Sequence, residues 1–263
     1  MKKFVIIAHA RSGSFMLATG LAGQRHLEMH MELFNPHPVN RRTLFAVRRP
    51  ELAADRTASR DAYYRDGESA AEFLSTYVYH DRYGPDVQAV GFKILYDQAR
   101  IGPAASAWQR LADDTEIVVI HLTRRNLLAT LVSLLVAQAT RRWSVAANDR
   151  GPRPAVPPFT ISPSACADFF RSMQSDSARI RSMFARHAVL ELEYECDLVA
   201  DFAGAARRVL AALSVPESGP LIPQTGRQAR YRLSEQVSNF VELKAHFAGT
   251  QAATYFDEST AVS

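Results

Sequence analysis

Short apolar runs alternate along the chain with stretches of helical period. The segments at 4–8, 87–95 (VQAVGFKIL), 115–122 (TEIVVIHL) and 188–194 (AVLELEY) read as strands, because β-branched and aromatic residues follow one another with little polar interruption. HLEMHMELF at 26–34 alternates apolar and polar positions and predicts a second, shorter strand. Phe15, Met16, Leu17 and Leu21 fit one face of a helix starting near Ser14, and Ser162 with Pro163 suit the N-cap and first position of a helix running to about 187. Strands and helices that alternate in this way predict a mostly parallel sheet flanked by helices, an α/β fold. Ligands of such sheets sit beyond the C-terminal strand ends. That rule gathers the ARSGS turn at 10–14, the end of GFKILYDQ at 91–98 and the HLTRRN turn at 121–126 on one edge.

Other stretches carry no such period. Residues 41–66 are arginine-rich and weakly periodic, which predicts a surface excursion. NDRGPRPAVPPFTISPS at 148–164 is dense in proline and predicts an ordered loop or a lid. There is no internal repeat, and no composition shift marks a hinge, so residues 1–263 read as a single domain.

Composition narrows the function classes. A hydrophobic fraction of 47% supports a sizeable core, and a net charge of +4 is too weak for a nucleic-acid footprint but suits a small polyanionic ligand. Lysine occurs only at Lys2, Lys3, Lys93 and Lys244, so Lys93 inside an apolar strand calls for a specific explanation. Cys166 and Cys196 are too few for a disulfide framework and lack metal-site spacing; packed thiols in a reducing, cytoplasmic setting are the simple reading. His9 and Arg11 end the first apolar run too early for a signal peptide, and the thirteen-residue run LLATLVSLLVAQA falls short of a membrane span. His9, His30, His37 and His80 are isolated, with no metal-ligand spacing among them, and no metal is expected; His121, inside a strand, reads as a core histidine.

Candidate chemistry begins at ARSGS. A strand, a small-residue turn and a helix N-terminus with an arginine beside it make an anion cradle, since free backbone N–H groups and the helix dipole converge there. Arg11, Ser12, Gly13, Ser14 and Phe15 would line it around a phosphate or sulfate. The alternative is a tight turn whose Ser12 or Ser14 merely caps the helix. Because no lysine follows Gly13, the turn is not an ordinary ATP or GTP loop.

The second constellation is HLTRRNLLATLVSLLVAQATRRW. Its helix is apolar nearly all round, yet Asn126, Thr130, Ser133, Ala137 and Thr140 form one narrow stripe of small or polar residues. Such a stripe on a buried helix needs partners. Arg125 precedes the helix, and its guanidinium can lie along it to meet what Ser133 contacts; a second phosphate fits that pairing. Alternatively Ser133 bonds its own helix and Arg125 pairs with a surface carboxylate.

Taken with MELFN at 31–35, EYECDLVAD at 193–201 and LSEQVSNFVEL through Gly249 and Thr250, these motifs follow an order that resembles the bacterial 3′-phosphoadenosine 5′-phosphosulfate (PAPS) dependent sulfotransferases. The likeness is to the branch with nodulation-factor, lipopolysaccharide and trehalose sulfotransferases, and it spans most of the chain. It implies a P-loop-like sulfotransferase fold, PAPS as donor and a hydroxyl acceptor, a carbohydrate or glycolipid. RSGS would hold the 5′-phosphosulfate, and Arg125 with Ser133 the 3′-phosphate. Arg227 and Arg230 stand where the family closes a loop over the nucleotide. The resemblance also implies that Glu32 acts as general base, with Asp97 as rival, while Lys93 and Arg11 neutralise charge on the leaving phosphate oxygen. Phe15 departs from the Thr or Asn often found at its place. The stretches 36–85 and 144–164 would shape the acceptor site and its lid. Two other readings stay open: an ATP-dependent phosphotransferase, and a non-catalytic nucleotide-binding protein on the same fold. The acceptor's identity is not legible, and a homodimer is compatible with the chain.

Overall fold

The computed structural model describes residues 1–35, 69–100, 102–149, 151, 155–226 and 232–258. Five strands, β1 (Lys2–Ala8), β2 (Leu27–Glu32), β3 (Ala89–Leu95), β4 (Ile117–Thr123) and β5 (Val189–Glu193), form one sheet in the order β2-β3-β1-β4-β5. Every pairing is parallel. Parallel strands need crossover connections, and the helical stretches of the sequence supply them. Sheets covered on both faces are built from nearly continuous apolar strands, and Phe4 to Ala8 of the central β1 are wholly buried.

Alternate residues of β1 enter different cores, as the two-residue period of a strand requires. Phe4, Ile6 and Ala8 pack with Leu17 and Leu21 of α1 (Ser14–Leu21) and with Phe202 and Val209 of a later helix, Phe202–Ala212. Val5 and Ile7 pack on the other side with Phe92, Ile94, Trp108 and Phe184. A third cluster joins Leu128 and Val132 to Phe170, Phe240, Leu243 and Phe256. It packs the helices Leu127–Thr140, Pro163–Met183 and Phe240–His246 together.

Local signals explain most element ends. Ser162 accepts from the Ala165 N–H and Pro163 takes the first helical position. That helix stops at Met183, short of the 187 expected, because Phe184 leaves the helix to bury its ring in the core. Of the excursion expected over 36–85, residues 36–68 lie outside the described residues. Its last part is core: Ser69 and Glu72 form a capping box, Phe73, Leu74 and Val78 are buried, and the Tyr79 hydroxyl donates to the Phe4 carbonyl at 2.8 Å. The proline-dense stretch is a hydrogen-bonded loop over 155–162, with the Phe159 N–H donating to the Gln236 carbonyl and the Phe159 carbonyl accepting from Ser238. Among the described residues no helix is long and apolar enough to cross a membrane.

Candidate active site

All five strands point the same way, so their C-terminal ends share one sheet edge, and the turn after β1 lies at its centre. Arg11 and Gly13 both adopt left-handed backbone, with φ of 67° and 86°. The second needs glycine outright, because a Cβ there would lie 2.5 Å from a ring carbon of Tyr194. Ser12 is fully buried and its hydroxyl donates to the His9 carbonyl at 2.8 Å, which ties the turn to its own start. Gly13 is the N-cap of α1, with no side-chain bond, so neither Ser12 nor Ser14 caps the helix as the simpler reading would have it. The first helical bond runs from the Leu17 N–H to the Gly13 carbonyl at 3.0 Å. The amides of Ser14, Phe15 and Met16 therefore stand outside the helix ladder, at its positive end.

The turn is held from behind by residues that its own sequence does not announce. Arg124 donates to the Arg11 carbonyl at 3.1 Å, lies 4.7 Å from the centroid of the Tyr194 ring and pairs with Glu195 at 3.6 Å. Tyr194 in turn packs over Gly13. The only linear signals were the double arginine at 124–125 and the aromatic inside EYE.

Glu32 and Lys93 meet beside this turn. Lys93 is 2% exposed, and its ammonium donates to Glu32 Oε1 and to the Ser14 hydroxyl at 3.5 Å. Gln98 and Asn35 donate to the other oxygen of Glu32, the first at 2.8 Å. A β-bulge makes the meeting possible: His30 pairs with Phe92, and the next pair is Glu32 with Lys93. Regular register would set Met31 opposite Lys93 and turn Glu32 to the other face. Burial works against ionisation of Glu32, but the Lys93 charge and the bonds from Lys93, Gln98 and Asn35 outweigh it and hold the carboxyl below its usual range. Burial likewise depresses the Lys93 ammonium, against the support of Glu32. Asp97, the rival base, is exposed, whereas its neighbour Gln98 is buried and reaches Glu32.

Arg125 and Ser133 are not paired with each other. Asn126 caps the helix Leu127–Thr140 by accepting from the Ala129 N–H at 2.8 Å, and Glu195 accepts from the backbone N–H groups of both Arg125 and Asn126. The half-exposed Arg125 guanidinium turns to Glu193 and to the Cys196 sulfur. Ser133 instead accepts from Arg11 Nε at 3.1 Å, and Arg11 also donates to the Trp143 carbonyl at 2.5 Å. Of the polar stripe, Thr130 and Thr140 bond their own helix, to Asn126 and Val136. Cys166 is packed as expected, whereas Cys196 is exposed beside Arg125. Arg227 and Arg230 lie outside the described residues.

The histidines divide by surroundings. His121 is a satisfied core residue, donating from Nδ1 to Glu191 at 2.9 Å and accepting at Nε2 from the Tyr96 hydroxyl. His9 is buried between β1 and the ARSGS turn; Nδ1 donates to the Ala10 carbonyl at 2.8 Å, and Nε2 has no hydrogen-bond partner among the described residues. Burial pushes its imidazole down to about 4, helped by the nearby Arg124 charge, so the ring is neutral.

No protein-family model matches the chain. The chain is 29% identical to nodulation protein H of Rhizobium tropici, over 97% of its own length and 92% of that protein's. It is 27% identical to nodulation protein H of Rhizobium meliloti, over 97% and 95%. Two solved structures align over much of the chain. A sulfotransferase from Alicyclobacillus acidocaldarius is 16% identical, with TM-score 0.48 and 94% and 92% of the two chains covered. A sulfotransferase domain from the curacin biosynthetic pathway is 15% identical, with TM-score 0.49 and coverage of 99% and 89%. Over nearly its whole length, then, the chain is similar to the nodulation H proteins of two Rhizobium species.

Proposed function

We propose that the protein is a sulfotransferase and moves a sulfuryl group from PAPS to a hydroxyl of a carbohydrate or glycolipid. The observation that supports the reading best is the buried Lys93–Glu32 pair at the mouth of the anion turn, with Ser14 bridging the two features. Sulfuryl transfer, like phosphoryl transfer, has a loose transition state, so the protein's task is to position the partners and neutralise charge on the leaving oxygen. The helix amides, Arg11 and Lys93 suit the phosphosulfate end of the donor. Ser133 and Arg125, two helical turns apart, suit its 3′-phosphate once Arg125 leaves Glu193.

Glu32 is the base in this scheme. It takes the proton of the acceptor hydroxyl while that oxygen bonds to sulfur and the bond from sulfur to the phosphate oxygen breaks, leaving adenosine 3′,5′-bisphosphate. Paired with Lys93, the carboxylate is a weak base. When the ammonium turns to the donor phosphate, burial acts on Glu32 with less opposition and raises its proton affinity as the transfer begins.

The test is a thermal-shift comparison. Adenosine 3′,5′-bisphosphate at a hundredfold excess over Kd, with a chelator present, is expected to stabilise the protein by about 3 kcal/mol, a rise of roughly 6 to 12 °C. Stabilisation by ATP with magnesium and none by the bisphosphate would overturn the reading.

A further inference from the structure

We infer that Gln98 is the positioning residue of the general base: its side-chain amide clamps Oε2 of Glu32, so that Oε1 alone is presented to the acceptor hydroxyl. The inference rests on the sulfuryl-transfer reading above and adds to it which oxygen of the carboxylate takes the proton and what holds it there. Gln98 is 5% exposed, and its Nε2 donates to Glu32 Oε2 at 2.8 Å. Which end of the amide faces the carboxylate is fixed by the backbone. Oε1 of Gln98 accepts from the Leu95 N–H at 3.1 Å, so only the nitrogen is left for Glu32.

The main chain commits the residue to this place. The Gln98 N–H donates to the Leu95 carbonyl at 3.0 Å, and the Gln98 carbonyl accepts from the buried Trp108 Nε1 at 2.9 Å. The next residue, Ala99, is fully buried with a φ of 53°, left-handed backbone that a residue with a Cβ seldom adopts. Asn35 donates to the same oxygen of Glu32 as Gln98 does. Two amides fill the lone-pair sites of Oε2, whereas Oε1 holds the Lys93 ammonium, the only charged group bonded to the carboxylate among the described residues. When that ammonium turns to the donor phosphate, Oε1 is the oxygen set free, and the amides keep the carboxylate from following it. The acceptor O–H bond then breaks as its oxygen bonds to sulfur, and the proton passes to Oε1.

The test is an NMR titration of the full chain with its glutamate carboxyls 13C-labelled, the Glu32 resonance being assigned by its loss in Glu32→Gln. Gln98→Met removes one hydrogen bond to a charged group and should raise the Glu32 midpoint by about one to two pH units. Gln98→Glu keeps an acceptor for the Leu95 N–H but sets a second carboxylate against the first, and should raise the midpoint at least as far. A role confined to propping the turn would leave the midpoint where it is. In the wild-type chain the Gln98 side-chain amide protons, assigned by their loss in either variant, should move with the Glu32 carboxyl at one midpoint; should neither variant fold, their pH dependence in the wild type against its loss in Glu32→Gln decides alone. Calorimetric affinity for adenosine 3′,5′-bisphosphate should stay within about twofold in Gln98→Met. An unmoved Glu32 midpoint, or amide protons indifferent to it, overturns the inference. A larger loss of bisphosphate affinity would assign Gln98 to the donor site and overturn it as well. Absence of bisphosphate binding in the wild-type chain is a separate result, which removes the sulfuryl-transfer reading itself.

Discussion

Replacing Lys93 by methionine keeps a long side chain at the end of β3 but removes the ammonium that Glu32 pairs with. Lys93 is 2% exposed and the Glu32 side chain 13%, so the carboxylate would be left buried with only the amide donors of Asn35 and Gln98. Breaking a buried pair from one side costs about 3 to 5 kcal/mol, and the remaining amides place this one near the lower end, about 3 kcal/mol. At roughly 2 to 4 °C per kcal/mol the melting temperature should fall by about 6 to 12 °C. The pH dependence carries the sharper test. In the wild-type protein the folded-state value of Glu32 is depressed, so its contribution is fully present above the ordinary carboxylate range and is lost only as pH falls through the lower folded value. Without Lys93, burial is no longer outweighed, and the folded value rises above the unfolded one. The folded variant then binds the proton first and recovers stability on acidification, so its deficit, measured by urea unfolding, should narrow as pH falls from neutral toward the ordinary carboxylate range. His9 titrates in both proteins and cancels from the difference. Glu32→Leu in the Lys93→Met background should restore most of the stability while leaving turnover abolished. A deficit below about 1 kcal/mol near neutral pH, or one that does not narrow with acid, would refute the pairing as described.

Three further outcomes are expected. Glu32→Gln should leave bisphosphate affinity intact in calorimetry and lower kcat by at least about 10²-fold, whereas Asp97→Asn should do less; the reverse order would move the base to Asp97. Arg125→Ala should weaken PAPS binding by roughly 10- to 150-fold and Ser133→Ala by less, with adenosine 5′-phosphosulfate nearly unaffected; equal losses for both nucleotides would show that these residues do not read the 3′-phosphate. For His9 the folded value of about 4 lies below the ordinary 6.5, so the unfolded chain takes the proton first and stability, full above 6.5, is lost as pH falls toward 4. The full effect is about 3 kcal/mol, and His9→Gln should remove that part of the slope in urea titrations; an unchanged slope would place the acid sensitivity elsewhere.

Much of this architecture is a local matter and was therefore legible in the linear chain. Apolar runs long enough to be buried on both faces specify parallel strands, as Phe4–Ala8 and Ile117–Leu122 do. Caps such as Ser162 and Asn126 act within three residues of themselves. The strand–turn–helix junction at ARSGS was recognisable because a strand, small residues and a helix start are contiguous there. The register was not legible. That Glu32 rather than Met31 faces Lys93 depends on a bulge, and a bulge forms because two strands distant in sequence settle their side chains together, not because of any residue in either strand alone. The partners of the arginines were hidden for the same reason. Spacing left open whether Arg125 shares a ligand with Ser133 or pairs with a surface carboxylate; which carboxylate, Glu193 beside Cys196, and that Arg11 reaches Ser133 from across the sheet edge, were set by the fold. A charged side chain selects among whatever opposite charges and acceptors the fold places within reach, and that choice is made only when strands far apart in sequence come to lie side by side.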